Sequence, residues 1–460
     1  MKIVFVNAPC IRSEKSCAEN DFAIEGFVFT RKYQRIKGAM RAFRLLHKYF
    51  GLGKGVRYGV RAGSRWPWTV DYPHGGPPYP FFMGYAASNL QSHGYEVDLV
   101  DAVAEEEYSY EGFLQAVRSR KPDIVVVECS TPTIDIDLWI ARKIASFAEV
   151  ALAGPHVSNE TGPQIQAENP HIRYLLKGEY VMSALEMART RRAGMYESEV
   201  VKDLDSLPFP FRDYAGATRY YEPTMPTPRP MLQIYSGKGC PFKCTFCMWP
   251  QVMYGGRVAL RKPEKIAEEI RDAVSKHGFK SILFDDDTFN LGIERISNLC
   301  DHLREIGLPW TMLGRIDCSP DWLFDKMVDS GCVGMRFGIE TFDLEVLKNV
   351  KKGIERMDFR GTLERLATKY PKLMMHITMM RDMPGQSEEV HLNDMRIIHS
   401  LGFSLAGNIY RSFQLSRCAP FPGTEMYREL AEKHGEQELK LYQLYDGGRE
   451  TVTSKLKVIQ

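Results

Sequence analysis

The sequence predicts an α/β fold in two domains: an amino-terminal doubly wound, Rossmann-like domain and a carboxyl-terminal partial (β/α)6 TIM barrel. Three observations predict it. The chain of 460 residues is longer than one hydrophobic core usually organises. Short β-branched runs alternate with helical stretches in both halves. A proline-rich stretch, residues 204–230, separates the halves and cannot form a continuous helix or a central strand.

The composition is that of an ordinary globular protein. Apolar residues make up 44% and charged residues 26%, which excludes disordered, collagen-like and disulfide-scaffold chains. With 60 Lys and Arg against 58 Asp and Glu, the net charge of +2 favours neither nucleic acid nor an anionic membrane as partner. The first apolar run is too short for a signal peptide and no run is long enough to span a bilayer. We therefore expect a cytoplasmic protein without membrane insertion.

The amino-terminal domain is predicted over residues 1–190. Its predicted strands are residues 3–6, 97–100, 123–127, 150–153 and 174–176, and its predicted helices are residues 81–92, 110–120, 135–147 and 180–188. Doubly wound sheets bind ligands at the carboxyl ends of their strands. The residues predicted at those ends are small or polar and suit close approach of a ligand: Asn7, Ser130, Thr131, Gly154, Pro155, His156, Gly178 and Glu179. The pattern predicts a site without identifying its ligand.

A long insertion, residues 11–80, follows the first strand. Within it, residues 31–65 hold eleven Lys or Arg and no acid, so they form either a solvated basic stretch or an anchor for an anionic group. The end of the insertion, up to Tyr79 and Pro80, is rich in aromatic and turn residues. We expect it to form an ordered loop over the sheet.

The second domain is predicted over residues 231–426, after a linker at residues 191–230 and before a tail at residues 427–460. Its predicted strands are residues 231–235, 281–285, 309–316, 334–340, 374–380 and 405–415, and its predicted helices are residues 263–276, 294–305, 321–329, 344–348, 358–368 and 387–399. Six strand-helix units predict a partial barrel with its site at the carboxyl ends of the strands.

Three cysteines follow the first barrel strand. Cys240, Cys244 and Cys247 have the spacing C-x3-C-x2-C in a glycine-containing loop. Three thiolates on one loop can bind three corners of a cubane iron-sulfur cluster and leave the fourth iron open. Structural zinc requires four protein ligands, and no second cysteine or cysteine-histidine pair follows nearby. A zinc-stabilised binding protein is the alternative.

This loop resembles that of the radical S-adenosylmethionine (SAM) enzymes, in which it follows the first strand of a partial (β/α)6 barrel. The resemblance implies that the three cysteines bind a 4Fe-4S cluster whose free iron binds the amino and carboxylate groups of SAM. Phe246 would lie near the adenine. An electron from the cluster cleaves SAM to methionine and a 5′-deoxyadenosyl radical, which abstracts a substrate hydrogen.

Other SAM contacts are implied at three further strand ends. Asp285, Asp286 and Asp287 replace the usual Gly-Gly-Glu of the family, so which aspartate contacts the SAM amino group stays open. Crowded carboxylates raise one another's pKa unless a cation such as the SAM ammonium lies among them. A solvated acidic loop is the alternative. Arg315 and Glu340 resemble residues that hold SAM, although each is alternatively a member of a structural ion pair.

The amino-terminal domain is similar to the cobalamin-binding module of the cobalamin-dependent radical SAM subgroup. The resemblance implies that Tyr79 and the eight strand-end residues bind cobalamin. The Asp-x-His-x-x-Gly motif, whose histidine ligates cobalt in many cobalamin proteins, is absent, and the subgroup often leaves the lower face of cobalt without a histidine. The residues considered for that face are Trp66, Trp68, Tyr72, Tyr79 and, as a ligand, His74.

The predicted function is a methyltransferase that methylates an unreactive carbon of a small molecule or natural-product precursor. One SAM would recharge cob(I)alamin to methylcobalamin, and another would yield the 5′-deoxyadenosyl radical. No catalytic residue is predicted beyond the cofactor ligands. The alternatives are a radical cyclisation, rearrangement or oxidation with cobalamin as redox partner, and a cobalamin or redox sensor. The expected partners are an unidentified small-molecule substrate and an electron donor such as flavodoxin or ferredoxin.

Overall fold

The computed structural model describes residues 1–9, 11–13, 56–59, 69–70, 77–102, 104–105, 110–197, 200–405, 408–445 and 452–456. The chain divides into two compact units. The first comprises Met1–Glu199, Pro208–Arg219 and Leu441–Asp446, and the second comprises Val200–Leu207, Tyr220–Lys440 and Gly447–Gln460. Most of the predicted insertion lies outside the described residues, including most of the basic stretch together with Trp66, Trp68, Tyr72 and His74.

The first unit is built on a parallel sheet. Its strands are β1 (Lys2–Asn7), β2 (Ile11–Ser13), β3 (Val56–Gly59), β4 (Thr69–Val70), β5 (Glu96–Asp101), β6 (Ile124–Glu128), β7 (Glu149–Ala153), β8 (Ile172–Lys177) and β9 (Gly194–Glu197). Six of them pair in parallel in the order β5-β1-β6-β7-β8-β9, while β2, β3 and β4 form a small antiparallel sheet. Because the order reverses at β1, the switch point between β1 and β6 is where such sheets bind ligands. The predicted doubly wound α/β fold is confirmed.

Helices connect these strands. They are Phe81–Ser92, Tyr110–Ser119, Ile134–Ile144, Gly162–Glu168 and Val181–Thr190. The central strand β6 is buried along its whole length, as expected for a parallel strand covered on both faces. The sequence analysis did not identify β9 or the helix Gly162–Glu168, because both are short and only a few of their positions are buried.

The second unit contains a six-stranded parallel sheet. Its strands are β10 (Met231–Ile234), β11 (Gly237–Lys238), β12 (Ala259–Leu260), β13 (Ser281–Phe284), β14 (Trp310–Gly314), β15 (Cys332–Glu340), β16 (Met374–Arg381) and β17 (Arg411–Arg417). Six pair in parallel in the order β10-β13-β14-β15-β16-β17, and β11 pairs with β12 in antiparallel fashion. Within the described residues β10 and β17 do not pair with each other, so the barrel is partial, as predicted.

Helices cover the barrel sheet, and four of them begin at polar caps. The helices are Pro263–His277, Ile293–Ile306, Asp321–Asp329, Leu344–Asn349, Phe359–Lys369, Glu388–Ser400, Glu425–His434 and Glu436–Leu439, and the short helix Val452–Lys455 follows near the chain end. The side chains of Asp343, Asp358, Ser387 and Thr424 each accept a backbone N–H of the helix that follows. β17 begins six residues later than predicted, because the Asn408 side chain accepts the N–H groups of Tyr410 and Arg411 and forms a turn there.

A polar layer lies among the inward-facing side chains of the barrel sheet. Arg336 on β15 pairs with Glu222 Oε1 at 3.0 Å and donates to Thr224 Oγ1. Met225 packs against Met231 and Met374, which begin β10 and β16. The proline-rich stretch predicted as a linker therefore also packs against the end of the sheet where its strands begin.

His376 on β16 gives this layer a pH-dependent contribution to stability. Its ring contacts Ser412 Oγ at 2.9 Å and Gln414 Oε1 at 3.3 Å. Burial, reinforced by Arg336, lowers the pKa of His376 to about 3. Between pH 6.5 and 3 the unfolded chain takes up a proton that the folded chain excludes, so stability is lost as the pH falls. From pH 7 to pH 5 we expect a loss of about 2 kcal/mol from this group alone. Urea unfolding of the cofactor-free His376→Gln variant should show a correspondingly smaller loss, while the exposed-site control His93→Gln should behave like the parent.

No helix in the described part of the chain combines the length and the apolar character needed to cross a membrane.

Candidate active site

The cysteine loop begins directly after β10 at the carboxyl edge of the barrel. The β11–β12 pair closes the base of the excursion that contains the three cysteines. Gly239, just before Cys240, has a φ of 78°, and a Cβ atom there would lie 2.0 Å from the carbonyl oxygen of Arg257. Only glycine fits this position, because the left-handed backbone and the close carbonyl both exclude a side chain.

Two of the three predicted aspartates hold the backbone beside this loop. Asp286 accepts the N–H of Ser236 at 3.1 Å and its hydroxyl at 2.7 Å. Asp287 accepts the N–H of Gly239 at 2.8 Å. The cysteine loop is thus fixed to the end of β13 by carboxylates that the sequence analysis considered as SAM contacts.

The side chain of Gln251 holds the cysteine loop in place by hydrogen bonds. Gln251 was not identified from the sequence. Its side-chain amide donates to the carbonyl oxygens of Cys244, Thr245 and Cys247 at 3.0, 3.2 and 2.9 Å. Its own oxygen accepts the N–H of Glu425 at 2.8 Å. One side chain therefore sets the backbone at two of the three cysteines.

Gln251→Leu is expected to lower iron incorporation by about 10- to 100-fold, the range typical for residues that orient metal ligands. The substitution leaves three carbonyl oxygens without their donor. Iron and sulfide analysis after anaerobic reconstitution measures the effect. Gln164→Leu, on an exposed helix of the first unit, is the matched control and should retain iron. Full iron loading in Gln251→Leu would show that the loop binds iron without these hydrogen bonds.

The thiols lie in a partly buried environment. Cys244 is buried, whereas Cys240 and Cys247 are partly exposed. Burial, followed by the neighbouring thiols, raises the pKa of Cys247 well above its ordinary value. Burial also raises the pKa of Cys244, although Lys352 and Arg315 act in the opposite direction. Thiolates here need a cationic partner, which bound iron provides.

No three His, Cys, Asp or Glu side chains converge on a single-ion site anywhere among the described residues. A cubane cluster has no such requirement, because each cysteine binds a different iron atom.

A buried network of charges lies next to the loop. The guanidinium of Arg315 is 3.5 Å from the centroid of the Phe242 ring and forms a two-point ion pair with Asp317. It also donates to the carbonyl oxygen of Lys352 at 2.8 Å. Lys352 donates to Glu340 Oε1 at 2.8 Å. Burial alone would lower the pKa of Lys352, but Glu340 and Cys244 together outweigh it and the pKa is raised.

Glu340 is the most constrained residue of this network. Its φ of 70° is unusual for a residue with a side chain, and it follows a register shift between β15 and β16. A Cβ atom at Gly338 would lie 2.7 Å from Glu340 Oε1, so the neighbouring glycine makes room for the carboxylate. Glu340 Oε2 is buried and has no hydrogen-bond partner among the described residues. Such strain and an unfilled acceptor are typical of ligand-binding sites.

The structure thus brings most predicted SAM residues to one edge of the barrel. Arg315 and Glu340 both contact Lys352. The charges of all three residues affect the pKa of Cys244. Asp285 is buried at the end of β13, and Phe246 on the loop is half-buried. Lys352 and Asp317 were not predicted from the sequence, since neither belongs to a recognisable motif.

The carboxyl edge of the first sheet brings the other predicted residues together. Asn7 donates to Asp101 at 2.9 Å, and Thr131 contacts His156 Nδ1 at 3.1 Å. A Cβ atom at Gly154 would lie 2.4 Å from the carbonyl oxygen of Cys129, so the backbone there requires glycine. Ser130, Pro155, Gly178 and Glu179 follow β6, β7 and β8 at the same edge.

Tyr79 has a packing role in the structure. It is fully buried, and its hydroxyl donates to the carbonyl oxygen of Phe211 at 2.7 Å. The guanidinium of Arg212 lies 4.0 Å from its ring centroid. Its predicted contact with cobalamin stays a prediction.

Part of the chain matches a known protein family. Residues 234–395 match the family model of the radical SAM superfamily. An uncharacterized methyltransferase of Pyrococcus horikoshii is 26% identical over 300 residues, which cover 60% of this chain and 63% of that protein. The cytidylyl-2-hydroxyethylphosphonate methyltransferase of Streptomyces wedmorensis is 22% identical over 446 residues, which cover 80% of each.

Solved structures share the fold at low sequence identity. The radical SAM methyltransferase TsrM of Kitasatospora setae, solved with tryptophan and a SAM analog, has a TM-score of 0.61 and 19% identity, covering 78% of this chain and 75% of its own. TsrM has also been solved with cobalamin and a [4Fe-4S] cluster. The cobalamin-dependent radical SAM enzyme OxsB has a TM-score of 0.52 and 17% identity, covering 71% of this chain and 50% of its own.

The cysteine loop and most of the partial barrel thus lie in the segment that matches the radical SAM superfamily. The two units of the chain have the fold of the cobalamin-dependent radical SAM enzymes, as the sequence analysis predicted.

Proposed function

We propose that the chain is a cobalamin-dependent radical SAM methyltransferase that methylates an unreactive carbon of a small molecule or natural-product precursor. The observation that carries the proposal is the cysteine loop beside a buried carboxylate whose second oxygen has no partner among the described residues. The fold of the first unit supports cobalamin binding, and two relatives named as methyltransferases support methyl transfer.

The donor set at the barrel edge fits an iron-sulfur cluster. Cys240, Cys244 and Cys247 would hold it, and Gln251 and Asp287 keep their loop in place. Three cysteines leave one iron free for SAM. Arg315 and Lys352 supply positive charge beside Cys244, which offsets the negative charge of the thiolates.

The same edge fits SAM. Glu340 Oε2 can accept a hydrogen bond from an ammonium or hydroxyl group of the ligand. Asp285 and Phe246 are proposed to contact the amino group and the adenine. Because Glu340 is fixed by Lys352 and by its backbone, its acceptor is oriented before the ligand binds.

The carboxyl edge of the first sheet fits cobalamin. Glycine at residue 154 lets the ends of β6 and β7 lie close together, and the Thr131 hydroxyl and neutral His156 are polar groups without charge at this edge. When bound, the cluster and SAM supply the radical that abstracts hydrogen, and cobalamin supplies the methyl group. The protein orients these groups and excludes water.

Isotope labelling in cells tests the proposal and does not require the substrate to be identified first. Cells that produce either the parent or Cys244→Ser are fed methionine with a trideuterated methyl group, and their metabolites are compared by mass spectrometry. A metabolite that is made only with the parent and carries the intact trideuteriomethyl group is expected. A parent-dependent metabolite without the label would contradict methylation and favour a radical cyclisation, rearrangement or oxidation.

We further propose that a small reducing protein such as flavodoxin or ferredoxin supplies the electron. The cytoplasmic location stays a prediction.

A further inference from the structure

A short segment near the chain end belongs to the first unit. Leu441–Asp446 is part of that unit, although the preceding helices belong to the second unit. The described part, residues 441–445, is here termed the C-terminal segment and contains a single 3-10 turn, Tyr442–Leu444. The sequence analysis found no readable chemistry in this part of the chain.

The C-terminal segment packs on the carboxyl edge of the first sheet. The ring of Tyr442 meets the ring of His156 edge-on, with centroids 4.6 Å apart and an interplanar angle of 76°. The turn lies against the turn Thr131–Thr133, which follows β6. Tyr442 also packs against the hydrophobic core of the first unit, and the adjacent Tyr445 is fully buried. The segment is thus anchored in the first unit.

The contacted residues are those proposed above to face cobalamin. His156 follows β7, and its Nδ1 contacts Thr131 Oγ1 at 3.1 Å. His156 is almost fully buried, and burial lowers its pKa to about 3, so the ring is neutral at physiological pH. His156 and Thr131 are therefore covered, and the partly exposed ring of Tyr442 is the uncharged aromatic surface that remains here.

We propose that the C-terminal segment completes the cobalamin pocket, with the ring of Tyr442, supported by His156, contacting the nucleotide loop of the ligand. This inference rests on the proposed function. The dimethylbenzimidazole base is the planar aromatic part of cobalamin, and the uncharged aromatic ring of Tyr442 complements it. The corrin ring, with its amide-bearing side chains, offers no such match.

The comparison of cobalamin with cobinamide, which lacks the nucleotide loop, tests the proposal. Binding of each to the anaerobically reconstituted full chain is measured by absorbance titration. Tyr442→Ala is expected to raise the Kd for cobalamin at least tenfold and to leave the Kd for cobinamide unchanged. Tyr442→Phe, which keeps the ring, should bind both ligands like the parent. The control Tyr410→Ala removes an exposed tyrosine of the second unit and should also bind normally.

Three results would overturn the inference. They are an unchanged Kd for cobalamin in Tyr442→Ala, an equal loss for cobinamide, and tighter cobalamin binding, which would mean that the segment fills the pocket instead of lining it. If Tyr442→Ala fails to fold, Tyr442→Leu replaces it and is judged by the same criteria. Failure of the parent to bind cobalamin would instead contradict the proposed function, and the inference with it.

Discussion

Replacing any one of Cys240, Cys244 and Cys247 with serine is expected to abolish iron binding and reductive cleavage of SAM. Residues that merely orient metal ligands are worth about 10- to 100-fold, so loss of a ligand should exceed about 100-fold. The physical reason is that the three thiolates attach three of the four irons and no other side chain on the loop can replace them. Iron content and 5′-deoxyadenosine after reduction measure the effect.

Cys318 provides the matched control. It lies close enough to Cys240 for their charges to interact, and it is partly exposed, but it is not on the loop. Cys318→Ser should therefore keep its iron. Loss of iron in this variant would mean that a fourth thiolate binds the cluster, which would leave no open iron for SAM.

Lys352→Met is expected to destabilise the second unit by about 3–5 kcal/mol, the usual cost of leaving one member of a buried ion pair without its partner. Lys352 and Glu340 are both almost fully buried, and their side chains are 2.8 Å apart. Removing the Lys352 ammonium leaves the Glu340 carboxylate unpaired in a poorly solvated site. The strained backbone of Glu340 prevents the carboxylate from moving out to solvent. Urea unfolding of the cofactor-free protein measures the change.

Two further variants separate charge from packing. Lys352→Met combined with Glu340→Gln should recover a large part of the lost stability, because the buried charge is removed with its partner. Lys348→Met, which breaks an exposed pair with Glu345, should leave the stability close to that of the parent. Equal effects of Lys348→Met and Lys352→Met would contradict the assignment of a buried functional network.

Much of the fold follows from the sequence because parallel strands have a strong signature. Apolar runs such as β6 and β16 are covered on both faces, and the predicted bounds lie within three residues of the observed ones. Strands were predicted less well where local contacts determine their bounds. The turn at Asn408 shortens β17, and β9 pairs with β8 although little of it is buried.

The residues of the candidate site were predictable where their position in the sequence indicates their chemical role. The three cysteines could be named from their spacing, and Arg315 and Glu340 could be named because each lies at the carboxyl end of a strand. Lys352 and Gln251 could not, because their roles depend on contacts that no motif encodes. The contact of Tyr442 with His156 joins residues nearly 300 positions apart, which a single sequence does not reveal.

The central claim is that one chain binds an iron-sulfur cluster, SAM and cobalamin. The most direct test is anaerobic purification with cobalamin supplied, followed by analysis of iron, sulfide and bound corrin and by assay of 5′-deoxyadenosine after SAM and reductant are added. We expect all four signals in the parent. Iron, sulfide and 5′-deoxyadenosine without bound corrin would contradict the claim and would leave only the radical SAM assignment of the barrel.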